Sequence, residues 1–126
     1  MSTTKYTADH EWVRLEDDGT VTIGITPFAQ EQLGDIVFVQ LPEVGQRFDK
    51  GEEAVVIESV KAAADIKMPV AGEIVGVNQA LADAPETVNR DPMGAGWFLK
   101  VKPESIGELE GLLDEAAYEK LAPQPQ

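Results

Sequence analysis

Residues 58–66 read Glu58-Ser59-Val60-Lys61-Ala62-Ala63-Ala64-Asp65-Ile66. Three consecutive alanines favour a helix on propensity alone. The apolar positions Ala62, Ala64, Ile66 and Met68 nevertheless recur at every second residue, and Pro69 stops the run. That period predicts a strand over residues 62–68. Residues 53–60 form a second extended run, and Lys61 stands alone between the two. Pro69 to Gly72 then turns the chain into a further strand at 74–77.

Working outward, Val21, Ile23 and Ile25 alternate with Thr20, Thr22 and Gly24, the pattern of a half-buried strand. Asp17-Asp18-Gly19 supplies turn chemistry, so residues 12–15 are the expected partner in a hairpin. Thr26 reads as a helix N-cap, Pro27 as a first helical residue and Gly34 as a stop, which predicts one short helix over 27–33. Residues 36–41 are apolar on both faces except for Gln40, and a strand buried from both sides is expected there. Residues 78–96, punctuated by Pro85, Pro92, Gly94 and Gly96, read as irregular chain. Trp97, Leu99 and Val101 make a last alternating strand. Ser105-Ile106-Gly107-Glu108 has the form of a capping box, with Ile106, Leu109 and Leu113 on one face. Asp114 can cap a second short helix carrying Ala117, Tyr118 and Leu121, closed by Pro123. These elements predict a mainly β sandwich or barrel-like core with a short internal helix and C-terminal helices. No linker is evident, so residues 1–126 are expected to be one domain with a core at about 6–121 and a flexible tail at 122–126.

The chain of 126 residues contains no cysteine. Disulfides, thiolate metal sites and a thiol nucleophile are therefore excluded, and any sulfur chemistry must arrive on an attached group. A formal net charge of −13 leaves no basic stripe for nucleic acid and disfavours an anionic membrane surface. It suits partners with basic docking surfaces. The first nine residues have neither an apolar stretch nor an arginine-rich amphipathic helix, and no run approaches the length of a membrane span. A cytoplasmic location and a monomer are the expectations.

Catalytic material is sparse. The single histidine, His10, lies beside Glu11 and Trp12 with no cysteine to pair with, and a nucleophile–base–acid triad is not assembled from these residue types. A metal site normally draws on more than one imidazole or thiolate. No calcium-loop spacing and no phosphate-cradling glycine cluster is present. What remains is Lys61, between the small or apolar neighbours Val60 and Ala62. An amine at a hairpin tip is open to a modifying enzyme, and a strand pair is a rigid platform for presenting it. Spacing alone leaves an ordinary solvated turn lysine as the alternative, and a favoured two-residue turn would also carry Gly or Asn.

The run Val44-Gly45-Gln46-Arg47-Phe48-Asp49-Lys50-Gly51-Glu52, followed by Val55-Val56-Ile57-Glu58, Lys61 and Pro69-Val70-Ala71-Gly72-Glu73-Ile74, resembles the biotinyl/lipoyl attachment domain family. In that family a flattened β-barrel, a barrel-sandwich hybrid, holds a modified lysine on a hairpin, with a glycine eleven residues further on. Gly72 stands at that distance from Lys61. A biotin carrier has Met on both sides of its lysine; Val60 and Ala62 point to lipoate instead. Lys67-Met68 imitates half of the biotin motif, but Gly72 is only five residues on. The segments HEWVRLEDDG, VTIGITPFAQEQLGDIVFVQLPEVG, IESVKAAADIKMPVAGEIVGVN and GWFLKVKP, from Tyr6 to about Leu121, resemble the glycine cleavage H-protein family.

This resemblance implies a carrier, not an enzyme, with lipoate attached as an amide to Lys61. It implies recognition by lipoylating enzymes through Glu58 and Gly72, which on local grounds alone read as an edge charge and a positive-φ turn glycine. It implies passage of an aminomethyl group from the glycine decarboxylase (P protein) to the aminomethyltransferase (T protein), and reoxidation by the dihydrolipoamide dehydrogenase (L protein), in the bacterial cytoplasm. Glu11 and Asp65 match residues lining a cleft that shelters the loaded, cationic arm; simple acidic surface is their other reading. Asp9 stands where some members have Ser. His10 and Trp12 are read as structural. A lipoyl relay to other complexes, and an unmodified binding domain of the same fold, are the competing functions. The acidic residues Glu108, Glu110, Asp114 and Glu115 read as a solvated face, with docking as the alternative.

Overall fold

Alternation of apolar and polar residues gives strands one wet face and one dry face, and two such sheets bury their dry faces against each other. The computed structural model describes residues 3–121; the tail expected to be flexible at 122–126 lies outside them. Nine strands are formed among the described residues: β1 Thr3–Tyr6, β2 Glu11–Leu15, β3 Val21–Ile25, β4 Ile36–Gln40, β5 Arg47–Phe48, β6 Glu53–Ser59, β7 Ala63–Lys67, β8 Gly72–Val77 and β9 Leu99–Pro103. They assemble into a six-stranded sheet, β1-β2-β3-β9-β8-β5, and a three-stranded sheet, β4-β6-β7, with antiparallel pairing throughout. The fold is a mainly β two-sheet sandwich. Val13, Ile23, Leu99 and Ile74 of the larger sheet meet Val55, Ile57 and Ile66 of the smaller one in a fully enclosed core.

The short internal helix α1 spans Pro27–Leu33, as predicted. Thr26 Oγ1 accepts the Ala29 amide at 3.3 Å, Pro27 occupies the first turn, and Gly34 ends the helix at φ 77°, ψ −154°. The C-terminal cover is a 3₁₀ helix at Ile106–Gly111 followed by α4 at Glu115–Leu121. Asp114 Oδ1 accepts the Ala117 amide at 2.8 Å, the expected cap of α4. Tyr118 of α4 stacks on Tyr6 of β1 with ring centroids 4.7 Å apart and, with Trp12, builds a second apolar cluster outside the sandwich.

Four local expectations are corrected. The strand expected to be buried on both faces, β4, has a bulge between Ile36 and Phe38 that leaves Val37 and Phe38 55% and 45% exposed, while Ile36 and Val39 face the core. Residues 78–96 are not wholly irregular: they contain two single-turn helices, α2 at Ala80–Asp83 and α3 at Thr87–Arg90, pinned by buried Leu81 and Val88. Trp97 precedes β9 instead of opening it, and Phe98 is the fully buried residue there, its amide donating to the Ile23 carbonyl at 2.8 Å. Ser105 makes no side-chain cap; the carboxylate of Glu108 accepts the Ala71 amide at 3.4 Å instead of reaching back to Ser105.

Candidate functional site

The β6–β7 hairpin carries Lys61 at its tip. Ser59 donates its amide to the Ala62 carbonyl at 2.8 Å, so Val60 and Lys61 are the two turn residues. Neither adopts a positive φ, although the favoured two-residue hairpin turns require one. The Ser59 hydroxyl closes the turn instead. It accepts the amides of Lys61 at 3.2 Å and Ala62 at 3.0 Å, and donates to the Ala62 carbonyl at 2.9 Å. From outside the hairpin, the Asp35 carbonyl accepts the Val60 amide at 3.0 Å. The Lys61 stem lies across Gly34: a Cβ on that glycine would sit 3.2 Å from Lys61 Cε. Lys61 is exposed, and no carboxylate of the described residues pairs with it. A solvent-facing, unpaired amine on a braced tip fits a covalently attached acyl group.

The face around the tip follows from register. Phe38, Glu58 and Ala63 are cross-strand neighbours, and Gln40, Val56 and Asp65 form the next row. Glu58 is exposed one cross-strand row from the tip. Val60, beside the lysine in the turn, is 65% exposed, and Val37 and Phe38 are exposed on the neighbouring strand. Large apolar side chains exposed on neighbouring strands of a strongly acidic chain suit a place of contact.

Strand β7 is an edge strand. The Ser59–Ala62 pair sets the alternation, which turns the backbone groups of Ala63, Asp65 and Lys67 away from β6. At the far end of that edge the Lys67 amide donates to Glu11 Oε2 at 3.0 Å. Glu11 is buried, and Thr7 donates its hydroxyl to Oε1 at 3.3 Å. Burial pushes the Glu11 carboxyl up to about 7; the charge of Asp9 adds to the rise, while the Lys67 amide and the Thr7 hydroxyl oppose it. Glu11, Asp9, Lys50, Lys67, Met68 and Leu112 surround a cleft of about 280 Å³. Asp65 shares the exposed side of β7 with Lys67 but does not line this cleft. The structure therefore places Glu11 in the cleft and Asp65 on the track leading from Lys61 toward it.

Gly72 lies in the other sheet, as the first residue of β8, and its φ is not positive. The turn-glycine reading is thus corrected. A Cβ there would collide with the Lys102 carbonyl and approach Val101 Cγ1 to 2.7 Å, so close passage of β9 is what demands glycine. His10 and Trp12 are structural, as read. His10 holds φ 68°, with Nδ1 2.9 Å from the Tyr118 hydroxyl, itself 2.6 Å from Thr26 Oγ1. Trp12 is fully enclosed and donates Nε1–H to the Pro92 carbonyl at 2.9 Å.

The family model described as "Glycine cleavage H-protein" matches residues 4–124. The chain belongs to the glycine cleavage H-protein family. It is 60% identical over 116 residues to the glycine cleavage system H protein of Teredinibacter turnerae, covering 92% of this chain and 89% of that one. It is 55% identical over 121 residues to H protein 1 of Pseudomonas aeruginosa, covering 96% and 94%. The crystal structure of an H protein from Mycobacterium marinum superposes with a TM-score of 0.85 at 46% identity, over 93% of this chain and 94% of that one. H proteins are the lipoyl-bearing carrier subunits of the glycine cleavage system, not enzymes, and work with the P, T and L proteins. No helix among the described residues is long and apolar enough to cross a membrane.

Sequence reasoning missed three parts of this H-protein site. The exposure of Val37 and Phe38 depends on the bulge in β4, which an apolar run does not disclose. Ser59 is the second: a hydroxyl directly before a turn that lacks Gly and Asn is a legible substitute for them. Asn89 of α3 was hidden in a stretch read as loop: its side chain donates to Gln30 Oε1 at 2.6 Å and to the Gly34 carbonyl at 2.8 Å, and accepts the Ile36 amide at 2.8 Å.

Proposed function

We propose that Lys61 is the lysine that bears the lipoyl group in this glycine cleavage carrier. The observation that carries the reading is the exposed amine of Lys61, unpaired among the described residues, on a hairpin tip braced by Ser59 and Asp35. Bound there as an amide, the lipoyl group would supply a disulfide that opens so that one sulfur takes the aminomethyl group of glycine and the other becomes a thiol, on a chain with no thiol of its own. The protein's residues hold and present it. Glu58, one cross-strand row from the tip, is the contact for the lipoylating enzymes. Gly72 serves the same recognition indirectly, by permitting the close β8–β9 packing that backs the hairpin's sheet. Val37, Phe38 and Val60 form the apolar centre against which the partner enzymes dock.

Glu11 serves the loaded arm. A carboxyl with its titration near neutrality, facing a cleft at the end of the β7 edge, attracts a cationic group and is ionised more fully by it. Asp65 lies on the way and steers the same charge. The chain acts as one carrier domain, residues 1–126, as a monomer in the bacterial cytoplasm.

The test is Lys61→Arg, which keeps charge and length but offers no acylatable amine. Wild-type protein incubated with a lipoylating enzyme and lipoate gains one lipoyl increment in intact mass; the variant gains none and supports no glycine decarboxylation with the P, T and L proteins. An increment that persists in the variant, mapped to Lys67 or another lysine, overturns the assignment.

A further inference from the structure

A hairpin that must hold one side chain in a fixed direction needs a defined turn, and the tip of β6–β7 does not obtain one from its own turn residues. Val60 and Lys61 supply neither a glycine nor a positive φ. Part of the support is the Ser59 hydroxyl; the rest comes from the segment joining α1 to β4. There the Asp35 carbonyl accepts the Val60 amide at 3.0 Å. Gly34, immediately before it, has a backbone conformation open essentially to glycine alone. The Lys61 stem crosses that glycine, with Cε and Cδ 3.2 and 3.5 Å from where a Cβ would be. The joining segment is therefore both a hydrogen-bond partner of the tip and the surface on which the lysine rests.

Besides the bond from the Gly34 amide to the Gln30 carbonyl and the pairing of Ile36 with Ser59 in the β4–β6 ladder, one side chain ties the segment down. Asn89 donates through Nδ2 to the Gly34 carbonyl at 2.8 Å and to Gln30 Oε1 at 2.6 Å, and accepts the Ile36 amide on Oδ1 at 2.8 Å. Its amide takes the two backbone groups that flank Asp35, as a neighbouring strand would, and the Asp35 carbonyl is left to Val60. This needs donors and an acceptor in one short planar group. Aspartate lacks the donors, and glutamine is a methylene too long. The one-turn helix α3 holds Asn89 in place through buried Val88.

We propose that Asn89 is a positioning residue for the carrier lysine: through Gly34 and Asp35 it fixes the tip of the β6–β7 hairpin and so the direction in which Lys61 leaves the protein. This rests on the reading of Lys61 as the attachment site. The consequence is kinetic. A modifying or partner enzyme docks on surface residues that Asn89 does not touch, but meets a correctly aimed lysine only while the segment is pinned.

The experiment compares full-length wild type with Asn89→Asp, which is nearly isosteric and keeps the acceptor, and with Asn89→Ala. Amide hydrogen exchange is read on the unmodified proteins at Val60 and, as a core reference, at Ile57. Initial rates of lipoyl transfer by a purified lipoylating enzyme are followed by intact mass. In both variants, Val60 exchange accelerates tenfold or more while Ile57 stays as in wild type. The kcat for lipoylation falls about tenfold at unchanged KM. Unchanged Val60 exchange, or equal acceleration at Val60 and Ile57, overturns the positioning role, because the first shows no coupling and the second only global destabilisation. A wild type that gains its lipoyl increment elsewhere than Lys61 overturns the attachment reading. A wild type modified at Lys61, with variants modified equally fast, overturns the positioning role alone.

Discussion

The two hairpins β2–β3 and β6–β7 solve the same geometrical problem in opposite ways. The first closes with local chemistry. Asp18 Oδ1 accepts the amide and hydroxyl of Thr20 at 3.0 and 2.6 Å, and Gly19 takes φ 88° with open space around it. Nothing outside the turn is needed. The second has no such residues and relies on Ser59 within it and on Asp35, Gly34 and Asn89 beyond it. A self-sufficient turn leaves its side chains to solvent; a turn braced from outside can hold one of them in a chosen direction. The difference separates a hairpin that serves the fold from one that presents a group. The two meet at their open ends, where Glu11 at the start of β2 accepts the Lys67 amide at the end of β7.

That link carries the largest expected effect. Glu11 has a carboxyl raised from 4.5 to about 7, first by burial and then by Asp9. Because the folded state holds this proton more tightly than the unfolded state, the group's contribution to stability is fully present below about pH 4.5. It is lost as pH rises through about 7. The shift corresponds to roughly 3 kcal/mol as a ceiling. Glu11→Gln removes the titration and keeps an acceptor for Lys67. Its urea-unfolding free energy is expected to exceed that of wild type by up to about 3 kcal/mol at pH 8, with the difference shrinking toward zero near pH 4.5. Parallel pH profiles for the two proteins would mean that Glu11 does not titrate in this window.

The asymmetry between the hairpins also governs what could be read from the residues. The β2–β3 turn, α1 with its Thr26 cap and Gly34 stop, and the period-two run ending at Pro69 are local patterns, and they were legible. So was Lys61 as the odd residue between two strands. What escaped was non-local or depended on register. The bulge between Ile36 and Phe38 sends two apolar residues to solvent, where their composition suggested burial. The burial of Glu11 depends on Lys67, 56 residues away, and the value of Asn89 on Ile36, 53 residues away. Gly72 was legible as part of a fingerprint, but its physical cause, the close passage of β9, belongs to the sheet and not to its neighbours in sequence.

The paired glycines sharpen the comparison next. Gly34→Ala forces a side chain into a conformation essentially reserved for glycine and brings its Cβ to 3.2 Å from the Lys61 stem. A loss of about 2–3 kcal/mol is expected. Gly19→Ala meets nothing within 4 Å and suffers only from its positive φ, a loss of about 1 kcal/mol. The functional readout should diverge further than the stability: lipoylation of Lys61 slows in Gly34→Ala and is unaffected in Gly19→Ala. If both variants lipoylate at the wild-type rate, the Gly34 segment is only a connection between α1 and β4.

The smallest effect is the most discriminating. Ser59→Ala deletes one hydroxyl that makes three hydrogen bonds across the Lys61 turn, and Asp18→Ala deletes the carboxylate that accepts two bonds across the other turn. For Ser59→Ala the expected loss is about 1 kcal/mol, since the freed backbone groups at an exposed tip are rehydrated. For Asp18→Ala, fully exposed, only a slight fall in Tm is expected. Stability thus barely separates the pair. Hydrogen exchange at the turn amides should do so. In Ser59→Ala, Lys61 and Ala62 lose protection while Val60, still held by Asp35, retains it. In Asp18→Ala the loss is confined to Thr20. Retained protection at Val60 would show the outer brace acting independently of the inner one. Collapse of protection at all three β6–β7 amides would show instead that the Ser59 hydroxyl alone defines the tip, and that the contact with Asp35 follows from it.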